Sequence, residues 1–376
     1  MATHSCVDSI DADAWNALAG EYPFLQHSFL SALEHSGSVG AGTAWQPVHV
    51  SARDQAGRLI GALPLYLKYD SRGEFVFDWG WADAFERAGL NYYPKLVAAV
   101  PYTPANGPRI LIAEDCDTSS VAAALLGACS DLANERSASS IHVLFPDDRD
   151  RKILLSADYL ARKGCQFHWR NRGYPDFDAF LAEFTSAKRK KVKRERRRIA
   201  EAGIRFEHLQ ADQLSGEDWD AVFEFYSRTF MRRGRAPYLN RAFFDELTGS
   251  MPQNLIVMLA RYNEQAIAAA ICFRSDSALY GRYWGSLADF HSLHFETCYY
   301  QGIEYCINEG LELFEPGTQG EHKVSRGFSP TQTWSCHKVF NDEFRVAIED
   351  FLQRETAYID AYIDEVDEHV PYKSQS

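Results

Sequence analysis

The chain has 376 residues, 46% hydrophobic and 14% aromatic, a length that suits two or three domains and a composition that excludes a disordered or fibrous polypeptide. Its net charge of −13 excludes nonspecific coating of nucleic acid or anionic membrane, so any polyanion contact must be local. One stretch breaks the pattern: residues 188–198, KRKKVKRERRR, hold nine Lys/Arg against one Glu, net +8, leaving −21 for the rest of the chain.

In chain order, Asp11 to Glu34 is expected to be helical, with Trp15, Leu18, Phe24, Phe29 and Leu30 at helix-like spacings. WQPVHVSARDQAGRLIGALPLYLKYD reads as two strands around Gln55-Ala56-Gly57, and GEFVFDWGW as a third strand alternating at Phe75 and Phe77. Tyr92 to Val100 is expected to be a helix stopped by Pro101, followed by a strand at Ile110–Ile112, a helix near Ser119–Asn134 and strands at Ser140–Phe145 and Cys165–Asn171. The second half repeats the order. Asp218–Arg233 and Arg241–Thr248 are helical, NLIVMLARYNEQAIAAAICFRSD is a strand pair around Tyr262-Asn263-Glu264, and ALYGRYWGSL is a third strand. A helix over Phe295–Glu309 stops at Gly310, strands follow at LELFEPG and Thr333–Phe340, and an acidic helix runs from Asp342 to Val366.

Two blocks echo each other. Trp79-Gly80-Trp81-Ala82-Asp83 precedes Tyr92-Tyr93, and Trp284-Gly285-Ser286-Leu287-Ala288-Asp289 precedes Tyr299-Tyr300. Both are expected at a strand end before a helix, which suggests a duplicated α/β domain. The eight cysteines include no CxxC pair, so they carry no zinc or redox signature and are expected to be free, mostly buried thiols. MATHSCVDSIDADAW lacks a basic start and an apolar core, and the longest apolar runs fall short of the ~20 residues that span a bilayer. The expectation is a soluble, cytoplasmic chain without membrane insertion. His291 and His294 have HxxH-like spacing but fall in an expected loop and are read as non-metal.

The segment YWGSLADFHSLHFETCYYQGIEYCINEGLELFEPGTQGEHKVSRGF resembles the core of a GNAT-type acyltransferase domain, and more closely the FemAB-like group of tandem GNAT proteins. DWGWADAFERAGLNYYPKL is similar to the subfamily labelled peptidoglycan biosynthesis or recognition proteins, and SAKRKKVKRERRRIAEAG resembles that family's basic helix opening the second domain. The resemblance implies a GNAT-like domain over residues 1–171, a basic helical segment over 172–203 and a second GNAT-like domain over 204–376. Each is expected to be a mixed, largely antiparallel twisted sheet flanked by helices. It also implies transfer of an acyl group to a small-molecule or peptide amine, with aminoacyl-tRNA or acyl-CoA as donor and no tightly bound cofactor. The alternative is a non-catalytic binder of phosphorylated cell-wall precursors. The phosphate loop by which ordinary GNAT enzymes hold CoA has no counterpart in Ser286–Ser292, which weighs against CoA. The family's Phe-Lys before Gly-Phe is also altered: Lys323 is displaced, and Arg326 stands before Gly327-Phe328.

In the basic run, Val192 and Ile199 give one narrow apolar stripe, while Lys190/Arg194, Lys193/Arg197 and Arg194/Arg198 are like-charge i,i+4 pairs, each disfavouring an isolated helix by ~0.2–0.5 kcal/mol. Such a helix needs anions, either ligand phosphates or RNA held by Lys190, Arg194, Arg197 and Arg198, or the protein's own carboxylates. A nuclear-targeting match is one of composition only. Acyl transfer needs a proton acceptor and stabilisation of a tetrahedral oxyanion. Glu321, His322, Lys323 and Arg326 crowd one Gly-flanked loop, where Lys323 or Arg326 would steady negative charge and His322 could relay a proton. His294 and Glu296 stand near a helix start, as binding groups or ordinary caps. Asp78 and Asp83, beside Trp81, are candidates to hold an acceptor amine or are turn residues. Tyr283 and Trp284 either pack the central strands or touch substrate. No covalent nucleophile is expected.

Overall fold

The computed structural model describes residues 1–287, 290–318 and 320–373. The chain divides into two units, Met1–Cys165 with Gln332–Ala361, and Gln166–Thr331 with Tyr362–Ser376. Residues 332–361 therefore count with the first unit, and the basic segment 172–203 with the second.

The first unit begins with β1 (Ala2–His4), α1 (Ala12–Ala19), α2 (His27–His35), β2 (Trp45–Pro47), β3 (His49–Arg53), β4 (Leu59–Leu63) and β5 (Tyr66–Lys68). It continues with α3 (Trp79–Arg87), β6 (Lys95–Ala98), β7 (Leu111–Ile112), α4 (Thr118–Glu135), β8 (Ser140–Leu144) and α5 (Asp148–Ser156). Strand β9 (Leu160–Arg170) starts in this unit and ends in the second. The second unit contains α6 (Phe177–Ala182), α7 (Ser186–Glu201), β10 (Arg205–Gln210), α8 (Gly216–Met231), α9 (Arg241–Ser250), β11 (Leu255–Tyr262), β12 (Gln265–Arg274) and β13 (Ala278–Ser286). Then come α10 (Leu293–Phe295), a π-turn over Glu296–Tyr300, α11 (Gln301–Glu309), β14 (Leu313–Glu315) and a 3-10 turn over Glu321–Arg326. Strand β15 (Ser329–Val339) and helix α12 (Asp342–Asp367) each contribute residues to both units.

In the first unit, β1, β3, β4 and β7 form an antiparallel sheet, while β2, β5, β6, β8 and β15 are neighbours in that order, with β6 and β8 parallel. Helix α4 supplies Leu125, Leu126, Cys129 and Leu132 to its core. In the second unit the order is β10, β11, β12, β13, β14, β9, antiparallel except for the pair β13–β14. Trp169, Phe180, Tyr300, Ile303 and Phe314 are fully buried in its core. The strand pair β11–β12 forms where two apolar runs around a turn predict it, with Asn263 and Glu264 at φ 49° and 62° in the tight turn.

Several expectations change, among them the two strands expected from Trp45 to Asp70, which are the four strands β2 to β5. Asp11–Glu34 is two helices, broken at Gly20 (φ 60°) and Pro23. Tyr92–Val100 holds strand β6 (Lys95–Ala98), not a helix: the run confined between Pro94 and Pro101 is too short for a buried helix, and β6 pairs with β5 and β8. Phe75 and Phe77 lie in no strand, and Trp79-Gly80-Trp81 opens α3 behind Asp78. The echoed Trp284-Gly285 instead lies within β13, so the two blocks are not structural equivalents; Ala288 and Asp289 lie outside the described residues. Gly285 has its own reason, because a Cβ there would stand 1.9 Å from the Phe225 carbonyl oxygen of α8.

Candidate functional site

Helix α7 presents two chemistries on opposite faces. Val192, Glu195 and Ile199, at i, i+3 and i+7, are its buried residues. Glu195, the one acid in the run, is 5% exposed and accepts hydrogen bonds from Arg326 Nη2 at 2.9 and 3.1 Å and from the Tyr300 hydroxyl. Arg326 in turn donates from Nη1 to the His322 carbonyl at 2.7 Å, and its guanidinium lies 3.4 Å from the centroid of the Phe295 ring. Arg326 thus ties the loop of His322 and Lys323 to α7. Sequence reasoning missed Glu195, yet its spacing from Val192 and Ile199 places it on the apolar stripe. A carboxylate there demands a buried cation.

The outer face of α7 borders a groove of about 470 Å³ lined by Lys190, Arg194 and Arg197 with Ala187, Arg189, Lys191 and Lys193. Lys193 and Arg197 also line a second groove of about 680 Å³, floored by Phe177, Leu181, Ile199 and Phe206. The charge is partly balanced within the unit. Lys193 pairs with Asp178 at 2.7 Å, and Arg196 with Glu296 at 3.1 Å and Glu304 at 2.6 Å. Among the described residues, Lys190, Arg194 and Arg198 have no ion-pair partner, and Arg198 lines neither groove. Glu296 is buried, which raises its pKa against the pull of Arg196, and the Gln301 amide donates to it at 2.8 Å.

Strands β13 and β14 pair only from Ala278 to Tyr280, opposite Leu313 to Glu315, and β13 continues to Ser286 beyond that pairing. On its other side, β13 carries an irregularity opposite Ile271/Cys272 that leaves Arg282 between the paired residues Gly281 and Tyr283. A cavity of about 90 Å³ lies there, lined by Gly281, Arg282, Tyr283 and Trp284 of β13, Ala270 and Cys272 of β12, His294, Cys298 and Tyr299, and Pro316. Its lining includes no carboxylate. Burial lowers the His294 pKa to about 4, so its imidazole is neutral at neutral pH. The Tyr283 hydroxyl is buried, with the Arg282 guanidinium beside it. The π-turn that carries Cys298 and Tyr299 is a rare helical geometry, frequent at functional sites.

Lys323 is 2% exposed, and burial lowers its pKa to about 7. Its Nζ donates to the carbonyl of Gly317 at 2.5 Å, and Gly317 follows the cavity residue Pro316. His322 is exposed and held by Tyr299 Oη at 2.8 Å, with its pKa lowered by partial burial and by Arg326 and Lys323. A Cβ on Gly320 would meet the His322 ring at 2.1 Å, and one on Gly327 (φ 98°) would meet the Phe180 ring at 2.7 Å, so both glycines serve close packing. Glu321 is exposed and accepts from the Tyr362 hydroxyl at 2.8 Å.

Asp78, Trp81 and Asp83 belong to the first unit. Asp78 is 1% exposed and accepts from Lys95 and from Tyr92 Oη, the latter at 2.6 Å. It sits in a buried polar cluster with Glu74, Lys68, His142 and His337, in which Lys95 also donates to Glu74 at 2.8 Å. Trp81 packs 4.9 Å from His337, between ring centroids. Asp83 is exposed on α3. Eight cysteines are free, four of them buried. Among the described residues no group of three or more His, Cys, Asp or Glu could hold a metal ion, and no helix is long and apolar enough to cross a membrane.

Residues 6–374 match the FemAB-like family model, described as peptidoglycan biosynthesis/recognition. The chain belongs to the FemAB-like family. The solved structure of FemX is similar in fold, at TM-score 0.54 and 12% identity over 93% of this chain and 100% of that one. L-PGS from Bacillus licheniformis gives TM-score 0.53 at 11% identity, covering 89% and 97%. The C-terminal domain of a protein assigned as lysylphosphatidylglycerol synthetase in Agrobacterium fabrum gives 0.55 at 10%, covering 91% and 96%. A comparison with curated proteins gives no match. The FemAB-like chain thus has the expected tandem GNAT-type fold, and family and fold together support an acyltransferase of cell-wall biosynthesis.

Proposed function

We propose that this FemAB-like chain transfers an aminoacyl group from a charged tRNA to an amine of a cell-wall precursor. One observation carries this: a groove of cations lies on the outer face of α7, and the inner face of the same helix is tied through Glu195 and Arg326 to the loop beside the cavity. The outer face suits phosphates, which guanidinium forks bind bidentately. The cavity suits a small reacting group where β13 and β14 part. Arg326 positions the loop. Lys323, whose Nζ holds the Gly317 carbonyl next to the cavity residue Pro316, is the candidate to supply positive charge from behind the lining. The neutral His294 ring is an acceptor available to a donor's α-amino group.

A second reading, transfer from an acyl-CoA, is favoured by one feature, the lack of any carboxylate in the cavity lining to neutralise an α-ammonium. Binding to mixed charged tRNA across a salt series, with a CoA competition arm, separates the two. The tRNA-donor reading expects affinity that falls steeply with salt and a log–log slope that shrinks when Lys190, Arg194 and Arg197 become Ala. Saturable displacement by CoA without tRNA binding moves the assignment to acyl-CoA. Silence from both leaves a phosphorylated precursor as the ligand to test and refutes both donor assignments.

A further inference from the structure

Forming an amide from an ammonium acceptor and an ester donor releases one proton. The amine nitrogen bonds to the carbonyl carbon, the C–O bond to the donor breaks, and the leaving oxygen keeps one of the two protons shed. The other must leave the cavity. The lining residues offer few routes. The His294 ring titrates near 4 and is a poor base at neutral pH. Cys272 and Cys298 are thiols whose pKa burial raises, so neither accepts a proton readily. Arg282 is a permanent cation. Lys323 is outside the lining and donates to Gly317 O.

Tyr299 differs. Tyr299 lines the cavity, is 4% exposed, and its hydroxyl meets Nε2 of the exposed His322 at 2.8 Å. Resting on the transfer reaction proposed above, we infer that Tyr299 and His322 form the proton exit: the hydroxyl takes the amine proton while passing its own to His322 Nε2, and His322 Nδ1 gives a proton to solvent. Tyr299 then ends the step as the neutral phenol. Its own pKa, raised by burial, excludes a standing phenolate and fits a concerted pass. The groups facing His322 are Tyr299 from the π-turn, His294 and Phe295 from α10, and Lys323, Arg326 and Glu321 from its own turn. Partial burial, and then the two cations, hold the His322 pKa below the usual imidazole value, which favours the neutral ring that accepts a proton.

The test pairs His322 NMR titration with transfer kinetics in wild type, Tyr299→Phe, His322→Gln and the double variant. In Tyr299→Phe the His322 pKa should rise, because a donated bond that favours the neutral ring is lost. Each single variant should lose about 10²-fold or more in kcat with little change in KM, the double should be no worse than either single, and the acid limb set by His322 should vanish. Full kcat in Tyr299→Phe, or additive losses in the double, overturns the relay while leaving the transferase assignment intact. No transfer by wild type from tRNA or CoA donors, with the titration shift present, refutes the transferase assignment and the relay's role together, though the bond stands.

Discussion

Replacing Glu195 by Ala tests whether the basic helix is anchored by its one acid. The substitution removes both contacts to Arg326 Nη2, at 2.9 and 3.1 Å, and the acceptor of the Tyr300 hydroxyl. Arg326, 3% exposed, keeps the His322 carbonyl and the Phe295 ring but no counter-ion. Breaking one side of a buried ion pair costs about 3–5 kcal/mol, because the partner's charge stays desolvated. With a urea m-value of about 2 kcal/mol/M, the midpoint falls by roughly 2 M. Hydrogen exchange in urea, read at peptides of α7 and α11, reports the second unit alone and avoids treating a two-unit chain as two-state. Glu195→Gln should lose less. The double variant Glu195→Met/Arg326→Met should recover most of the loss, since apolar replacement of a whole buried pair is often neutral. A loss under about 1 kcal/mol in Glu195→Ala, or a double variant worse than the single, refutes the anchoring argument.

Four further outcomes follow from the same geometry. Lys323→Met should stabilise the second unit at pH 6 by up to about 5 kcal/mol. The lysine pKa is lowered from 10.5 to about 7, so its stabilising contribution is present above 10.5 and lost as pH falls through about 7; the variant should flatten stability across that window in pH-dependent unfolding. Gly285→Ala should destabilise by about 1–3 kcal/mol or more through the clash with Phe225 O, read as a lower midpoint for the second unit. Asp78→Asn should cost the first unit about 3 kcal/mol by depriving buried Lys95 of one of its two carboxylates, measured by exchange at β6. Lys190→Ala, Arg194→Ala and Arg197→Ala together should leave stability within about 0.5 kcal/mol while reducing the salt slope of polyanion binding.

Much of the second unit was legible because local signals agreed. The β11–β12 pair had apolar strands on both sides of a polar turn, and Gly310, at φ 70°, ends α11 as a left-handed C-cap. The first unit was harder where apolar runs were short. Lys95–Val100 carries no periodicity to separate helix from strand, and only pairing with its neighbours decides it. Phe75 and Phe77 alternate as a strand would, but Phe75 takes φ 61°, and the nearby Glu74 and Asp78 turn inward to Lys95. The crowded loop of His322, Lys323 and Arg326 was visible from composition. Which member holds structure and which meets the cavity was not, because that depends on Glu195 and Tyr299, which come from other elements. The basic run was likewise readable as charge, but its division into paired Arg196 and unpaired Arg194 is set by carboxylates about a hundred residues away.

The two-faced character of α7 has an evolutionary consequence. Its sixteen residues carry two separable messages: Val192, Glu195 and Ile199 are written to the core and Arg196 to the buried Glu296, while Lys190, Arg194 and Arg197 face the groove. The outward cations can drift, be lost or be regained without disturbing the fold, so affinity for an anionic partner is free to be retuned along a lineage. The inward glutamate has no such freedom. A descendant could abandon its phosphate ligand and keep the helix, but it could not exchange Glu195 without also rewriting Arg326.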